Sequence, residues 1–585
     1  MADPAALVLK FGGSVLRDDD AVARAVHEVY RHVRAGFAVV AVVSARHGET
    51  DALAARARAF DSEPDPHALA CLLATGERAS AAWLALAVRR AGLACEVAGV
   101  ERIGLRVRGE PLDAEPVGLD VAALRALLRR SQVVVVPGFV GVDDDGRTAL
   151  LGRGGSDLTA LFVAERLGAG CRLVKDVDGL YERDPALPGS PARSFAAVHY
   201  DDALALDGRI VQHKAVRFAQ RCGLSFEVGA EGSARATVVG GVRTVLRAAD
   251  AAPLRPLRVA LLGAGTVGLG VYRALARSPA TFEVTAVTTR SPRAAVDAGV
   301  DPRLLVADAV AAAAGGADVV VEALGGLAPA AAAIAAALRA GAHVVTANKS
   351  LLAHHGPALH ELAGRHGVEL RASAAVGGAA PVLATIARAR AGGPIGAFAA
   401  VLNATSGFVF DRLRAGRSLA EALHDAAARG LAERDAARDL DGTDAAEKLV
   451  LCARAAGFAV DAAAVATAVA TDVMGAASAL AAAGAGGRVR VVASWSLDPG
   501  ERGAGLVLRV APESLHDDHA LAFLAADECG AVAVRTDGAT FRCRGRGAGR
   551  WPTAAAVVAD LWDLVRARHG ASGPEAARRV AEAVA

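Results

Sequence analysis

The stretch LRVALLGAGTVGLG, residues 257–270, decides the fold of the second half of the chain. Five of its first six residues are apolar, as in a buried parallel strand. The turn that follows has the G-x-G-x-x-G order and consists of Gly263, Ala264, Gly265, Thr266, Val267 and Gly268. In this order the glycines allow a tight turn, a close approach of pyrophosphate to the backbone, and close packing of the next helix. The stretch predicts the first strand–turn–helix unit of a dinucleotide-binding domain; a glycine-rich turn without a ligand is the alternative.

Length and composition predict several soluble domains. The chain has 585 residues, and single hydrophobic cores stop growing near ~250–300 residues. Its net charge is +2 and its hydrophobic fraction 53%. We therefore expect small-molecule substrates and neither nucleic acid nor a membrane as partner. Seven scattered cysteines without a C-x-x-C pair, and no signal-peptide pattern at the start, favour the cytoplasm.

Lysine is scarce in this sequence. Of 65 basic residues only five are lysines, at Lys10, Lys175, Lys214, Lys349 and Lys448. A lysine ammonium is compact and can lose its proton when buried, which the guanidinium of arginine cannot imitate. We therefore treat each lysine as a candidate functional residue.

The chain begins with alternating strand and helix patterns. The apolar run 6–11 ends at Gly12, Gly13 and Ser14, where Lys10 would stand beside backbone N–H groups that suit phosphate oxygens. A plain glycine turn is the alternative. A second buried strand is predicted at 37–43, and Gly76-Glu77-Arg78 is predicted to open a later helix.

Two further segments add polar groups. In LGRGGSDLTA, residues 151–160, Arg153 could clamp a carboxylate, and Asp157 stands where a helix would begin. After the strand at 171–174, Lys175 is followed by acidic residues that suit Mg²⁺ and nucleotide binding.

These motifs, with TGERAS and KDVDGLYERDP, resemble the aspartokinase catalytic domain of the amino-acid kinase fold. The resemblance implies that Lys10 stabilises the transferred phosphoryl group of ATP, bound with Mg²⁺, and that Asp157 organises the site. It implies that Ser14, Glu77 and Arg153 bind the substrate amino acid. It implies nucleotide or phosphate contacts for a larger group: Gly12, Gly13, Lys175, Asp176, Asp178 and Lys214.

The resemblance fades near Val239, and the dinucleotide strand starts at Leu257. We therefore expect no ACT-type regulatory domain between them and no feedback inhibition of the kinase by threonine or lysine. The segment between Ser44 and Glu77 is also shorter than in many relatives. One alternative is a degenerate or retargeted kinase domain. Another is a nucleotide-sensing protein without enzymatic activity.

The dinucleotide domain carries two further signals. The predicted second strand, 282–289, ends in Thr288-Thr289-Arg290 without the acid that binds the ribose of NAD, so NADP(H) is the expected cofactor. The strand of HVVTANK leaves Asn348 and Lys349 at its carboxyl end, where open α/β sheets bind ligands.

The segment 430–448 concentrates charged residues. On a helix starting near Thr443, Asp444 and Lys448 share one face. A surface ion pair is the alternative, but the rare lysine and the nearby Glu433 and Asp439 favour a buried polar site.

These motifs, with VLNATSG at 401–407, resemble homoserine dehydrogenase over residues 257–570. The resemblance implies reversible reduction of L-aspartate 4-semialdehyde to L-homoserine with NAD(P)H. Lys448 would be the acid/base group, positioned by Asp444 and assisted by Lys349, while Glu433 and Asp439 would bind the ammonium group of the amino acid. The resemblance also implies a monovalent cation near residues 373–381, although the family's Glu and third Gly are replaced there by Ser373 and Ala379.

The predicted architecture is α/β throughout. We expect a layered αβα kinase domain at 1–247, a linker at 248–256, a Rossmann domain at 257–390 and an α+β substrate domain at 391–585, with 545–570 returning to the nucleotide domain. The resemblance to homoserine dehydrogenase also implies a homo-oligomer, a dimer or tetramer.

Overall fold

The computed structural model describes residues 5–185, 192–247, 255–428, 437–469, 473–475, 477, 488–498, 505–524, 529–547 and 549–568. The chain divides into two compact units. The first contains residues up to Arg255 except 91–93, together with the segment from Trp562. The second contains residues 91–93 and Pro256–Leu561. Most of the predicted linker, 248–254, lies outside the described residues.

The first unit is built on a nine-stranded sheet of order β13-β10-β12-β11-β9-β1-β2-β6-β3. A four-stranded sheet, β5-β4-β7-β8, stands beside it. The strands are Ala6–Phe11 (β1), Ala38–Val43 (β2), Cys95–Val97 (β3), Arg106–Glu110 (β4), Asp113–Gly118 (β5), Val133–Pro137 (β6), Val140–Val142 (β7), Thr148–Leu150 (β8), Gly170–Lys175 (β9), Phe195–His199 (β10), Phe226–Ala230 (β11), Thr237–Gly240 (β12) and Val245–Leu246 (β13). The central strands are parallel, and every residue of β2 is buried, as expected for a sheet covered on both faces.

The helices of this unit are Asp19–Ala35 (α1), Glu49–Phe60 (α2), Pro66–Arg90 (α3), Val121–Arg130 (α4), Gly155–Leu167 (α5), Tyr200–Ala205 (α6) and His213–Cys222 (α7). Sequence signals explain their ends. The Asp18 side chain accepts a hydrogen bond from the Ala21 N–H at the start of α1, and Gly36 closes α1 with a φ of 100°. These helices cover the sheet, and the predicted layered α/β fold is confirmed.

One predicted helix boundary is wrong. Gly76 and Glu77 lie in the middle of α3 rather than at its start. The start is set by Pro66 and by the Asp65 side chain, which accepts a hydrogen bond from the Ala68 N–H. A Cβ atom on Gly76 would lie 2.8 Å from the Cβ of Ala45, so this glycine permits a close approach of the helix to the loop after β2.

The second unit contains a parallel six-stranded sheet and an antiparallel five-stranded sheet. The strand order of the parallel sheet is β16-β15-β14-β17-β18-β19. The strand before the glycine turn, β14, is central in it, as the first strand is in Rossmann domains. Its strands are Leu257–Leu262 (β14), Phe282–Thr288 (β15), Leu305–Val306 (β16), Val319–Glu322 (β17), His343–Thr346 (β18) and Leu370–Arg371 (β19). The other sheet, β22-β21-β20-β23-β24, contains Ile395–Val401 (β20), Arg488–Asp498 (β21), Gly505–Leu515 (β22), Cys529–Thr536 (β23) and Thr540–Arg546 (β24).

The helices of the second unit are Thr266–Ala276 (α8), Pro292–Asp297 (α9), Ala309–Ala314 (α10), Ala328–Arg339 (α11), Lys349–Arg365 (α12), Val382–Ala391 (α13), Ala404–Arg414 (α14), Leu419–Ala428 (α15), Ala437–Leu440 (α16), Thr443–Ala455 (α17), Ala464–Ala468 (α18) and Arg550–Arg568 (α19). The last residues of α19, from Trp562, are assigned to the first unit. One hydrophobic core joins both sheets of this unit. Near the start of α19, Ala554 lies next to Gly270 of α8, and Asp560 accepts hydrogen bonds from Ser373.

The glycine turn after β14 has the predicted geometry. Gly263 has a φ of 101°, which favours glycine. A Cβ atom on Gly268 would lie 1.8 Å from the Gly263 carbonyl oxygen, so only glycine lets α8 pack this closely. A Cβ atom on Gly265 would meet nothing within 4 Å.

We therefore expect Gly268→Ala to destabilise the second unit by about 1–3 kcal/mol, because the added methyl group forces α8 away from β14. Gly265→Ala is the matched control and should leave the unfolding temperature unchanged. Differential scanning calorimetry of the full chain measures both. Equal stability of the two variants would contradict the packing argument.

Candidate active sites

Three charged side chains meet at one edge of the nine-stranded sheet. Lys10 and Lys175 lie near the carboxyl ends of the neighbouring strands β1 and β9, and Asp157 lies in the first turn of α5. The Asp157 carboxylate is 2.7 Å from the Lys10 Nζ and 2.9 Å from the Lys175 Nζ. Lys10 and Asp157 are buried. Two ammonium groups share one carboxylate, so the cluster has one positive charge left to attract an anion.

Burial and charge shift the pKa values of this cluster in opposite directions. Burial lowers the pKa of Lys10 to about 8, although the Asp157 carboxylate partly offsets the shift. Burial would raise the pKa of Asp157, but the charges of Lys10 and Lys175 outweigh it and lower that pKa to about 2. Asp157 is therefore ionised at neutral pH, and Lys10 is still mostly protonated there, although less strongly than an ordinary lysine.

The loop after β1 stands beside this cluster. A Cβ atom on Gly12 would lie 3.8 Å from the Lys10 Nζ, and one on Gly13 would lie 2.7 Å from the Ala45 carbonyl oxygen. Ser14 follows, half-buried. The loop passes close to the Lys10 ammonium group, and its Gly12 N–H donates to the Val174 carbonyl oxygen.

Glu77 of α3 faces the same region. Its Oε1 accepts a hydrogen bond of 3.2 Å from the Ala45 N–H, whereas its buried Oε2 has no hydrogen-bond partner in the part of the chain that the structure describes. Burial raises the pKa of Glu77 to about 7. The unpartnered oxygen could accept a hydrogen bond from a bound ligand.

The other residues predicted for this site differ in their surroundings. Arg153 and Asp176 are exposed, and Asp178 accepts a hydrogen bond from the Tyr181 hydroxyl. The Lys214 Nζ donates to three oxygens of the chain, including Asp113 Oδ1 at 2.7 Å. Its proposed phosphate contact stays a prediction.

A second cluster of the same kind lies in the second unit. Asp444 and Lys448 of α17 are four residues apart, and the Lys448 Nζ is 2.7 Å from Asp444 Oδ2. The Lys349 Nζ, at the start of α12, is 3.1 Å from Asp444 Oδ1. Burial would raise the pKa of Asp444, but the two lysine charges outweigh it and lower that pKa to about 2. Burial lowers the pKa of Lys349, but the Asp444 charge outweighs this and the pKa is raised overall.

Asn403, for which the sequence analysis proposed no role, links two carboxylates of this cluster. Its Nδ2 donates to Asp439 Oδ1 at 2.7 Å and to Asp444 Oδ2 at 2.8 Å. Its Oδ1 accepts from the Ser406 N–H, so Asn403 also caps α14. Burial and the Asp444 charge raise the pKa of Asp439. The available sequence signal for Asn403 was an asparagine between an apolar strand and a helix.

Glu433, which was predicted to bind the ammonium group of the substrate, lies outside the described residues.

The carboxyl ends of the Rossmann strands carry the remaining predicted residues. Arg290 is exposed just after β15. The Asn348 Nδ2 donates to the Gly326 carbonyl oxygen at 2.7 Å, and its Oδ1 accepts from the Leu351 N–H. Asn348 thus holds the start of α12, which carries Lys349.

The sequence analysis also missed Glu322. It is fully buried at the end of β17 and accepts hydrogen bonds from the N–H groups of Leu324 and Gly325 and from the Thr346 hydroxyl. The sequence signal for Glu322 was a lone acidic residue in a buried strand. Its hydrogen bonds fix the glycine turn after β17.

Comparisons with known proteins give family matches for three segments of the chain. Residues 5–228 match the amino acid kinase family, residues 263–372 the NAD-binding domain of homoserine dehydrogenase, and residues 381–562 homoserine dehydrogenase. A homoserine dehydrogenase from Synechocystis sp. is 34% identical over 53% of this chain and 73% of its own length. A solved homoserine dehydrogenase from Thiobacillus denitrificans is 30% identical, with a TM-score of 0.47 over 55% of this chain and 78% of that one.

The first unit matches aspartokinases. The aspartokinase of Thermus thermophilus is 32% identical over 38% of this chain and 56% of its own length. The chain therefore spans about half the length of the curated aspartokinases that it matches.

The environment of Glu77 predicts a pH dependence of stability. Its folded-state pKa of about 7 exceeds the ordinary value of 4.5, so the folded state holds this proton more tightly. The free energy of unfolding should therefore fall as the pH rises from 4.5 to 7, by about 1–3 kcal/mol. Glu77→Gln should remove this slope, and Glu110→Gln, at an exposed position, should retain it. Urea unfolding at pH 5 and pH 8 measures the effect; parallel profiles for wild type and Glu77→Gln would contradict it.

Proposed function

The chain belongs to the homoserine dehydrogenase family and carries an amino acid kinase domain ahead of it, and on this premise we propose that it catalyses two reactions. The first is ATP-dependent phosphorylation of L-aspartate to 4-phospho-L-aspartate. The second is reduction of L-aspartate 4-semialdehyde to L-homoserine. The observation that carries this proposal is the repeated arrangement of two lysines around one buried aspartate, once in each unit.

In the kinase site, the side-chain carboxylate of aspartate would attack the terminal phosphorus of ATP, and ADP would leave. Lys10 and Lys175 would offset the negative charge of the transferred phosphoryl group, while Asp157 holds both ammonium groups in place. Glu77 would accept a hydrogen bond from the substrate ammonium, and Arg153 would bind the α-carboxylate.

The residues present fit a magnesium ion. Among the described side chains, no three His, Cys, Asp or Glu residues gather in a group that could hold a metal. Mg²⁺ needs only one or two carboxylates, because it keeps water and phosphate ligands. Asp176 and Asp178 would supply those carboxylates, and bound Mg²⁺ would add positive charge beside the phosphates.

The second unit fits a nicotinamide dinucleotide. The open space at Gly265 suits a pyrophosphate, as does the start of α8, where no side chain of the described residues caps the helix N–H groups. When bound, NAD(P)H supplies the hydride. Arg290 favours the 2′-phosphate of NADP. The end of the second strand has threonines, Thr288 and Thr289, in place of the acidic residue that binds the ribose of NAD.

Lys448 would act as the acid in the reduction. Its Nζ donates to the Leu402 carbonyl oxygen and to Asp444, each at 2.7 Å, so one of its three N–H donors lacks a partner within the described segments. That donor would transfer its proton to the aldehyde oxygen as charge develops there. Asp444, held by Asn403, would fix the ammonium, and Lys349 would assist the substrate or the proton relay. Asp439 would bind the substrate ammonium.

A degenerate kinase domain remains the alternative for the first unit. The buried arrangement of Lys10, Asp157 and Lys175 supports an active kinase, because such a charged cluster is costly to keep without a ligand to use it. We further propose a homo-oligomer in the cytoplasm. Six free cysteines among the described residues support the reducing compartment.

The two activities should be separable. Lys448→Arg keeps the charge, but guanidinium does not give up a proton, so we expect dehydrogenase turnover to fall by about 100-fold or more while kinase turnover is retained. Lys10→Arg should do the reverse. Homoserine oxidation with NADP⁺ and ATP-dependent formation of aspartyl hydroxamate measure the two activities. Each variant controls for folding of the other. Near-normal oxidation by Lys448→Arg would refute the acid/base role, and absence of hydroxamate in wild type would favour the degenerate kinase.

The cofactor preference should depend on Arg290. Loss of one phosphate contact in Arg290→Ser should raise the KM for NADPH about tenfold and leave the KM for NADH nearly unchanged. Arg339→Ser, an exposed arginine at the end of α11, is the matched control. A wild-type preference for NADH, or equal KM changes for both cofactors, would contradict the assignment.

A further inference from the structure

Asn403 joins two acidic side chains of the second unit. It lies between β20 and α14 and is buried. Its Nδ2 donates to Asp439 Oδ1 at 2.7 Å and to Asp444 Oδ2 at 2.8 Å, so the two carboxylates are neighbours. Neighbouring carboxylates repel each other, and one of them then holds a proton more tightly. Asn403 offsets this repulsion, because it gives each carboxylate a hydrogen bond without adding a charge.

The orientation of this amide group is fixed by the start of α14. The Asn403 Oδ1 accepts a hydrogen bond from the Ser406 N–H at 2.9 Å. A backbone N–H can only donate, so the amide oxygen must face it and the Nδ2 must face the carboxylates. The cap of α14 and the link between the two carboxylates therefore depend on the same side chain.

Of the two carboxylates, Asp439 is the one that a ligand can reach. It is half-buried, whereas Asp444 is buried and paired with two lysines. Burial and the Asp444 charge raise the pKa of Asp439, whereas the Asn403 hydrogen bond and the charges of Lys448 and Lys349 lower it. Among the described residues, these charged groups face Asp439 from α17 and from the start of α12. Asn403 therefore favours the charged form of Asp439.

We propose that Asn403 is a positioning residue of the dehydrogenase site, which holds Asp439 beside Asp444 in its charged form so that Asp439 can bind the ammonium group of the substrate. Asn403 acts through Asp439 and needs no contact with the substrate. The Leu402 carbonyl oxygen, one residue earlier, accepts a hydrogen bond from the Lys448 Nζ. Residues 402–403 thus place both the ammonium-binding carboxylate and the proposed acid. The ammonium group is that of L-aspartate 4-semialdehyde or L-homoserine, so this role rests on the proposed reaction.

Asn403→Ser tests this role, because serine caps a helix about as well as asparagine but is too short to bridge the two carboxylates. Asp439 should then hold its proton to a higher pH. The KM of the variant for L-homoserine, divided by the wild-type KM, should be about 10 near a pH of ~6.5 and fall towards one near a pH of ~9. Ser418→Asn makes the reverse exchange at the exposed start of α15 and should leave this ratio at one. A ratio of one for Asn403→Ser, or a ratio that does not change with pH, would overturn the proposal.

A double-mutant cycle tests whether Asn403 acts through Asp439. In Asp439→Asn, which already lacks the carboxylate, the additional change Asn403→Ser should leave the KM for homoserine unchanged. A further rise in KM, as large as the rise that Asn403→Ser causes alone, would overturn the role. If Asn403→Ser alone fails to fold, Asp439→Asn in the same chain should restore folding, because it removes the repulsion. Failure of the double variant to fold would then contradict the proposal.

Urea unfolding separates this role from the proposed reaction, because it needs no substrate. A carboxyl group whose pKa is raised in the folded state stabilises the fold at low pH, and this contribution is lost as the pH rises through that pKa. The unfolding midpoint of Asn403→Ser should therefore lie further below the wild-type midpoint at a pH of about 8 than at a pH of about 5. Ser418→Asn should show the same difference at both. Absence of homoserine oxidation in wild type would refute the proposed reaction alone, whereas equal differences for Asn403→Ser at both pH values would overturn the role of Asn403.

Discussion

A buried carboxylate shared by two ammonium groups is the constraint on which both sites depend. Burying an isolated charge is costly, and removing one partner of a buried pair leaves an uncompensated charge. Asp157 and Asp444 each avoid this cost by contacting two lysines. The first cluster nevertheless keeps one positive charge in excess, which an anion or a developing negative charge can offset, whereas the second cluster has Asp439 as a further carboxylate.

The fold supplies the positions for this arrangement. In the first unit, parallel pairing of β1 with β9 puts Lys10 and Lys175 at the same edge of the sheet, and α5 begins there with Asp157. In the second unit, Asp444 and Lys448 come from one helix face, whereas Lys349 comes from the start of another helix. Two unrelated arrangements of secondary structure thus place two lysine ammonium groups on one buried carboxylate.

The sequence predicted the parts of the structure that depend on local signals. The glycine turn after β14, the helix start at Thr443 and the burial of Lys448 all follow from spacing and composition. The start of α3 was wrong because Gly76 serves a contact with Ala45, which is distant in the chain. The roles of Asn403 and Glu322 were missed for the same reason. Each binds groups from separate segments, and no local pattern announces such a contact.

The engagement of every lysine has a practical consequence for the handling of this protein. All five ammonium groups lie within 3.1 Å of a carboxylate oxygen of the chain. Reagents that acylate primary amines require access to the amine, and five lysines held in ion pairs offer few accessible amines. Dyes, surfaces and cross-linkers that couple through amines will find few targets, and tryptic peptides will end almost entirely in arginine.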